Sequence, residues 1–317
     1  MTGVIATTVV AHVPTLGLAK NTPEYQQTLV AAERAMGAHL RNTLKPDLWV
    51  VISTHWVATF DWLVTMHAMH DGVCVADEAP SLISGVPYKF RGDPEFANAL
   101  IEGFSEAEIP SARNDSPHYE WDYGTFVPLQ YIDPDSSVPV VCLPSVLMAN
   151  HEECLRAGAA VHATAKRLGR RAVFVTSSAF SHVLARGRQN WPTPERVAAD
   201  HRFINRLKEG ALQDAIGGFT EYSRFVGAEM GGRPLATMLG VAGHGKGRQG
   251  HRGPPVRRLR AVFRQRQRRA ADDRRRHAGG DPLSNCHPGE GRDPGRWSAA
   301  KGGSRPPCRA RGNGSPG

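Results

Sequence analysis

The chain has 317 residues, 40% of them hydrophobic, which is enough for one large or two modest domains with a sizeable core and excludes disorder throughout. Its net charge of +9 invites a nucleic-acid reading, but 18 of the 39 basic residues and only 5 of the 30 acidic ones lie in residues 247–317, leaving residues 1–246 at −4. The basicity therefore belongs to a Gly/Pro/Arg-rich tail too poor in Ile, Leu, Val and Phe to offset the entropy of ordering it, and no nucleic-acid partner is expected.

In chain order, Val4–Val10 reads as a strand and Glu24–Leu44 as a helix, followed by a second strand at Leu48–Ser53. Asp93-Pro94 is an N-cap with proline at the first helical position, so Pro94–Phe104 is predicted as a helix. A strand at Val138–Leu143, a helix at Glu152–Leu168 and a strand at Ala172–Thr176 come next. Pro192-Thr193-Pro194 then introduces a helix over Glu195–Leu212. The strand runs are nearly continuous in apolar residues, as in a sheet covered on both faces. Strands alternating with helices imply an α/β fold: a single domain over residues 1–246 with a central, mostly parallel sheet flanked by helices.

No stretch approaches the roughly 18 uninterrupted apolar residues of a membrane helix, and the start MTGVIATTVV lacks a basic region and cleavage site. A cytoplasmic protein is expected, with no membrane partner. Cys74, Cys142 and Cys154 stand singly, with no CxxC, which suggests neither zinc nor disulfides. Residues 247–317 are expected to be a disordered tail, most simply explained by a frameshift near residue 247, the other reading being a real disordered arm. Plausible GC-rich codons for Val256–Arg268, read one nucleotide later, can give a turn and strand start, Tyr-Gly-Ala-Tyr-Gly-Pro-Ser-Ser-Gly-Ser-Gly-Asn-Ala.

Four segments place a histidine or carboxylate at or beyond the end of a predicted strand or in a turn: Ala11-His12-Val13-Pro14, Ser53-Thr54-His55-Trp56, Ser177 to His182, and Gly227 to Gly232 around Glu229. In open α/β sheets, sites gather beyond the carboxyl ends of strands, so these side chains can converge although they are far apart in sequence. Taken singly, a histidine after a strand is more often a structural residue. Two histidines and a carboxylate are the minimum facial set for ferrous iron, with zinc the other candidate, and a third histidine such as His182 can act as acid or base. His67 and His70, three apart, lie in strand and turn and not on a helix, which argues against a metal pair. His151 follows Asn150, a plausible N-cap, and reads as a helix start. No Walker sequence occurs.

The ordered set AHVPTL, STHWVATFDW, WDYGTFVPLQYI, VFVTSSAFSH and GAEMGGRPLATMLG resembles the class III extradiol ring-cleavage dioxygenases, the LigB-type superfamily, through about residues 3–245. The HVP and THW forms lean toward the homoprotocatechuate 2,3-dioxygenase group. The resemblance implies a ferrous iron held by His12, His55 and Glu229, with His182 as the acid–base residue. Tyr123 falls where some members carry a second active-site histidine and others a tyrosine; its other reading is a turn before a core segment. The shifted-frame PSSGSGNA also resembles the family's C-terminal segment.

The activity so implied is cleavage of a catecholic aromatic by O2, with both oxygen atoms entering a muconic semialdehyde-type product and no organic cofactor. 3,4-Dihydroxyphenylacetate is the leading substrate, with protocatechuate and 2-aminophenol as neighbours. Arg233, four residues beyond Glu229, is the preferred partner for a substrate carboxylate, with Arg91 and His118 as the other candidates, although His118 also reads as a surface residue. Relatives commonly assemble, so a homo-oligomer is expected. The competing readings are a non-catalytic relative that uses the pocket for binding and an inactive frameshifted product.

Overall fold

The computed structural model describes residues 2–183 and 192–244, and the tail expected to be frameshifted and disordered lies outside the described residues. In chain order the first half runs β1 (Gly3–Val10), α1 (Gln27–His39), β2 (Leu48–Ala58), β3 (Trp62–Thr65), β4 (Met69–Val73), α2 (Pro80–Ile83), β5 (Pro87–Arg91), α3 (Pro94–Glu106) and β6 (Ser111–Asn114). The second half runs α4 (Tyr123–Ile132), β7 (Val140–Val146), α5 (His151–Arg167), β8 (Arg171–Ser177), α6 (Pro194–Glu209), α7 (Leu212–Gly217), α8 (Phe219–Val226) and α9 (Arg233–His244).

The main sheet has the order β1-β8-β2-β7, and its strands are all parallel. Alternation along each strand explains the continuous apolar runs. Leu48, Val50 and Ile52 of β2, with Val141, Leu143, Ala172 and Phe174, face a core shared with Phe96, Leu100, Phe104, Val161 and Leu235. Trp49 and Val51, with Val140, Cys142, Val173 and Val175, face a second core built on Val30, Phe126, Val127 and Leu129. Period-2 side chains on a doubly covered sheet feed both layers, so the α/β architecture read from the sequence holds. β3 pairs with β6 and β4 with β5 in two small sheets beside it.

Asp93 caps α3 through Phe96 N–H at 2.9 Å, and Asn150 caps α5 through Glu153 N–H at 2.9 Å, as their sequences suggest. Two segments depart from expectation. The long helix expected over Glu195–Leu212 breaks at Gly210, whose φ of 76° gives a left-handed C-cap before α7 begins. The stretch from Tyr123 onward, read as a turn before a core segment, is a helix containing Pro128 and buried on nearly every side. A helix covered all round shows no polar stripe in its sequence, and a proline within it argues against one. Cys74, Cys142 and Cys154 are buried free thiols. No helix among the described residues is long and apolar enough to cross a membrane.

Candidate metal centre

Strand register assembles the site. Val10 of β1 pairs with Ser177 of β8, and Ser177 pairs with Ser53 of β2, so three adjacent strands reach the same level together. His12 follows β1 by two residues and His55 follows Ser53 by two, which brings their rings to 4.9 Å centroid separation. The N-terminus of α4 rises beside them because Ser53 Oγ donates to its cap, Asp122 Oδ1, at 2.5 Å. Tyr123 thereby lies 4.0 Å from the His55 ring and 5.9 Å from that of His12. A Cβ at Gly124 would stand 2.7 Å from Asp122 Oδ1 and 3.2 Å from His55 Cδ2, so this close approach requires glycine.

Glu229 closes the cluster from the turn between α8 and α9. Its Oε1 lies 3.2 Å from His12 Nε2 and 3.2 Å from His182 Nε2, while Ala179 N–H donates to its Oε2 at 2.6 Å. The donor atoms of His12, His55 and Glu229 all fall within 4.8 Å of one another. His12 is further held by Ser177 Oγ, 3.1 Å from its Nδ1, and Thr54 Oγ1, 3.3 Å from its Nε2. His55 Nδ1 lies 2.9 Å from Oε1 of Glu78, in the turn after β4. His12 and Glu229 are buried, whereas the His182 side chain is 37% exposed at the solvent edge.

The charges fit a cation. Burial works to raise the Glu229 carboxyl, but His12, His182 and the Ala179 amide outweigh it and leave the group below the usual carboxylate range. Burial, reinforced by His12, lowers the His55 imidazole against the opposing pull of Asp122, Glu229 and Glu78, favouring the neutral form a metal requires. Burial and Glu78 push the Tyr123 phenol far up, so its hydroxyl keeps its proton. One carboxylate and two imidazoles, His55 half-buried and the other two groups buried, with other imidazole nitrogens engaged by protein groups, are a donor set suited to a divalent ion.

The Glu229 turn is unusual. Met230, Gly231 and Gly232 all have positive φ, at 49°, 63° and 82°. Arg233 Nη1 donates to the Met230 carbonyl and Nε to that of Ala149, both at 2.9 Å. His151 Nε2 lies 2.7 Å from the Gly231 carbonyl oxygen and its Nδ1 3.0 Å from Thr220 Oγ1. The segment before His182 is held in a comparable way: Ser181 Oγ and Tyr222 O–H donate to the buried Asp200 at 2.7 and 2.9 Å, and His182 N–H donates to Gly227 O.

The structure thus brings together His12, His55, Glu229, His182 and Tyr123. The substrate-binding candidates stand differently. The Arg233 guanidinium is engaged by main-chain carbonyls, and Arg91 donates to Ser137 O at 3.0 Å. His118 is exposed on the loop whose Tyr119 packs on Trp56, at 4.7 Å between ring centroids. Sequence reasoning passed over Glu78, which lies in the ordinary-looking turn Asp77-Glu78-Ala79-Pro80 and carries no spacing signal, and gave His151 only its place at a helix start.

Residues 6–262 match the model of the catalytic LigB subunit of aromatic ring-opening dioxygenases. The chain is 21% identical over 217 residues to 3,4-dihydroxyphenylacetate 2,3-dioxygenase of Escherichia coli, spanning 63% of this chain and 75% of that one. It is 25% identical over 240 residues to the alpha subunit of 2-aminophenol 1,6-dioxygenase of Pseudomonas sp, covering 71% and 85% of the two chains. The beta subunit of the same enzyme is 27% identical over 215 residues, covering 62% and 69%. With a family match over most of its length, and His12, His55 and Glu229 gathered beyond one end of a parallel sheet, the chain belongs to the LigB family of extradiol, aromatic ring-opening dioxygenases.

Proposed function

We propose that this oxidoreductase is a ferrous-iron-dependent dioxygenase that opens a catecholic ring beside its diol, with a 3,4-dihydroxyphenylacetate-like compound as the leading substrate and protocatechuate or 2-aminophenol as neighbours. The observation that carries the reading is the convergence of His12, His55 and Glu229 donor atoms within 4.8 Å. These three residues, two imidazoles and a carboxylate, would hold the iron. When bound, ferrous iron supplies the electronic link that lets a singlet catechol react with triplet dioxygen.

The chain's own residues do the rest. The imidazole of His182, at the solvent edge with Nε2 facing the cluster, takes a proton from a substrate hydroxyl and returns it as the O–O bond breaks. Tyr123, protonated and beside His55, forms a hydrogen-bonding wall against which the diol is oriented. The ring C–C bond next to the diol breaks and both atoms of dioxygen enter the product, so the reaction needs no outside reductant. Copies of the chain are proposed to assemble, a reading consistent with relatives that are named as subunits.

Anaerobic reconstitution of the full chain with ferrous iron, followed by oxygen and 3,4-dihydroxyphenylacetate, tests the reading. Yellow semialdehyde absorbance that requires iron and is lost in His12→Ala is expected. A soluble, iron-binding protein that gives no colour with any catechol or aminophenol would instead make it a binding protein on the same fold. Insolubility relieved by restoring the shifted frame would make the chain as written the inactive product.

A further inference from the structure

The two histidines of the cluster are held in different ways. His12 meets a neutral partner, with Ser177 Oγ 3.1 Å from Nδ1. His55 meets a carboxylate, with Glu78 Oε1 2.9 Å from Nδ1. Glu78 is not itself one of the converging donor groups: its side chain is 55% exposed, and it reaches His55 from the turn between β4 and α2. The Tyr123 ring stands 4.0 Å from that of His55, so the carboxylate acts on the ring that the phenol walls on this side of the cluster.

We propose that Glu78 is a positioning residue for the metal centre: it holds the proton of His55 on Nδ1, so that Nε2 is presented bare to the ion. The inference rests on the metal-binding reading above and adds to it a residue outside the ligand set. An imidazole has two nitrogens, and in the neutral ring the one facing an anion carries the proton. A carboxylate there fixes the tautomer, fixes the plane of the ring and increases the basicity of the opposite nitrogen. The exposure of Glu78 distinguishes it from a core-packing residue, since its removal leaves no buried cavity.

The test uses the full chain and reads metal affinity and tautomer separately from turnover. Ferrous affinity is measured anaerobically by competition with a chromogenic chelator for wild type, Glu78→Ala, Glu78→Gln and Asp77→Ala, the last changing an exposed neighbour in the same turn. The His55 tautomer is read by nitrogen-15 NMR of metal-free, histidine-labelled protein, with His55→Gln supplying the assignment. The expected result is a loss of about ten- to hundredfold in affinity for Glu78→Ala, partial rescue by Glu78→Gln, and little change for Asp77→Ala. The wild-type ring should carry its proton on Nδ1 and lose that preference in Glu78→Ala. Affinity within about threefold of wild type with an unchanged tautomer would overturn the proposal, as would an equal loss in Asp77→Ala. Failure of wild type to bind iron would sink the iron reading alone, and the tautomer would still decide what Glu78 does to His55.

Discussion

The two halves of β2 do different work in one continuous strand. From Trp49 to Ile52 the backbone pairs in register with both β7 and β8, and from Leu48 to Ile52 every side chain is fully buried in one of the two cores. Beyond Ser53 pairing with β8 ends, and the register with β7 slips after Ile52 before resuming at Val57. Ser53, Thr54 and His55 instead engage Asp122, His12 and Glu78. The first half holds its position by ladder hydrogen bonds and apolar burial, and the second by hydrogen bonds and ion pairs between side chains. Stability and metal affinity should therefore separate along a single strand.

The sharpest way to break that separation is Glu229→Ala. Removing the carboxylate should lower ferrous affinity by about a hundredfold or more and abolish ring opening, while the thermal midpoint of the metal-free protein stays near wild type. Chelator competition beside a thermal melt checks this, and a large drop in the midpoint would contradict it. Next in size is Ile52→Ala, one residue below the switch, which should cost about 2–5 kcal/mol of stability while folded molecules keep their affinity for iron. Denaturant titration with metal binding on the folded fraction decides the case.

A smaller and pH-dependent effect comes from the scaffold itself. Glu33 on α1 is buried with both carboxylate oxygens lacking a hydrogen-bond partner, and burial, opposed in part by the Ala11 amide, pushes its carboxyl up to about 8. A carboxyl raised in the folded state contributes its full stability below the ordinary value of 4.5 and loses it as pH rises toward about 8. Glu33→Gln lacks that loss, so its advantage over wild type should grow from near zero at acidic pH to on the order of a few kcal/mol near pH 8. Unfolding measured across that range checks it, and parallel curves for the two proteins would refute the assignment.

What the sequence revealed follows the same division. The apolar strands and capped helices were legible because burial on two faces and N-cap chemistry leave local marks, at Leu48–Ile52 and at Asp93 and Asn150. His12, His55, His182 and Glu229 stood out because each lies at or beyond the end of an apolar strand or in a glycine-rich turn, and because the segments that carry them come in one recognisable order. Glu78 left no mark: an acidic residue in a turn is ordinary, and only the folding of the β4–β5 region against β2 gives it a partner. Arg233 shows the opposite case. Its nearness to Glu229 in sequence suggested a substrate contact, whereas its hydrogen bonds stabilise the left-handed run that turns Glu229 inward. α4 was hidden because a helix buried on every side has no periodicity to read.

The rung shared by Val10, Ser177 and Ser53 also bears on how such a chain can diverge. The level at which the polar residues emerge is counted from hydrogen-bonded pairs within the sheet, not from the lengths of the segments that join the strands. Insertions and deletions between strands leave that count untouched, while a single residue gained or lost inside β1, β2 or β8 would turn the polar residues at its end from one face to the other. The centre is thus buffered against most of the changes that accumulate in surface segments and exposed to a narrow class of changes within three short strands.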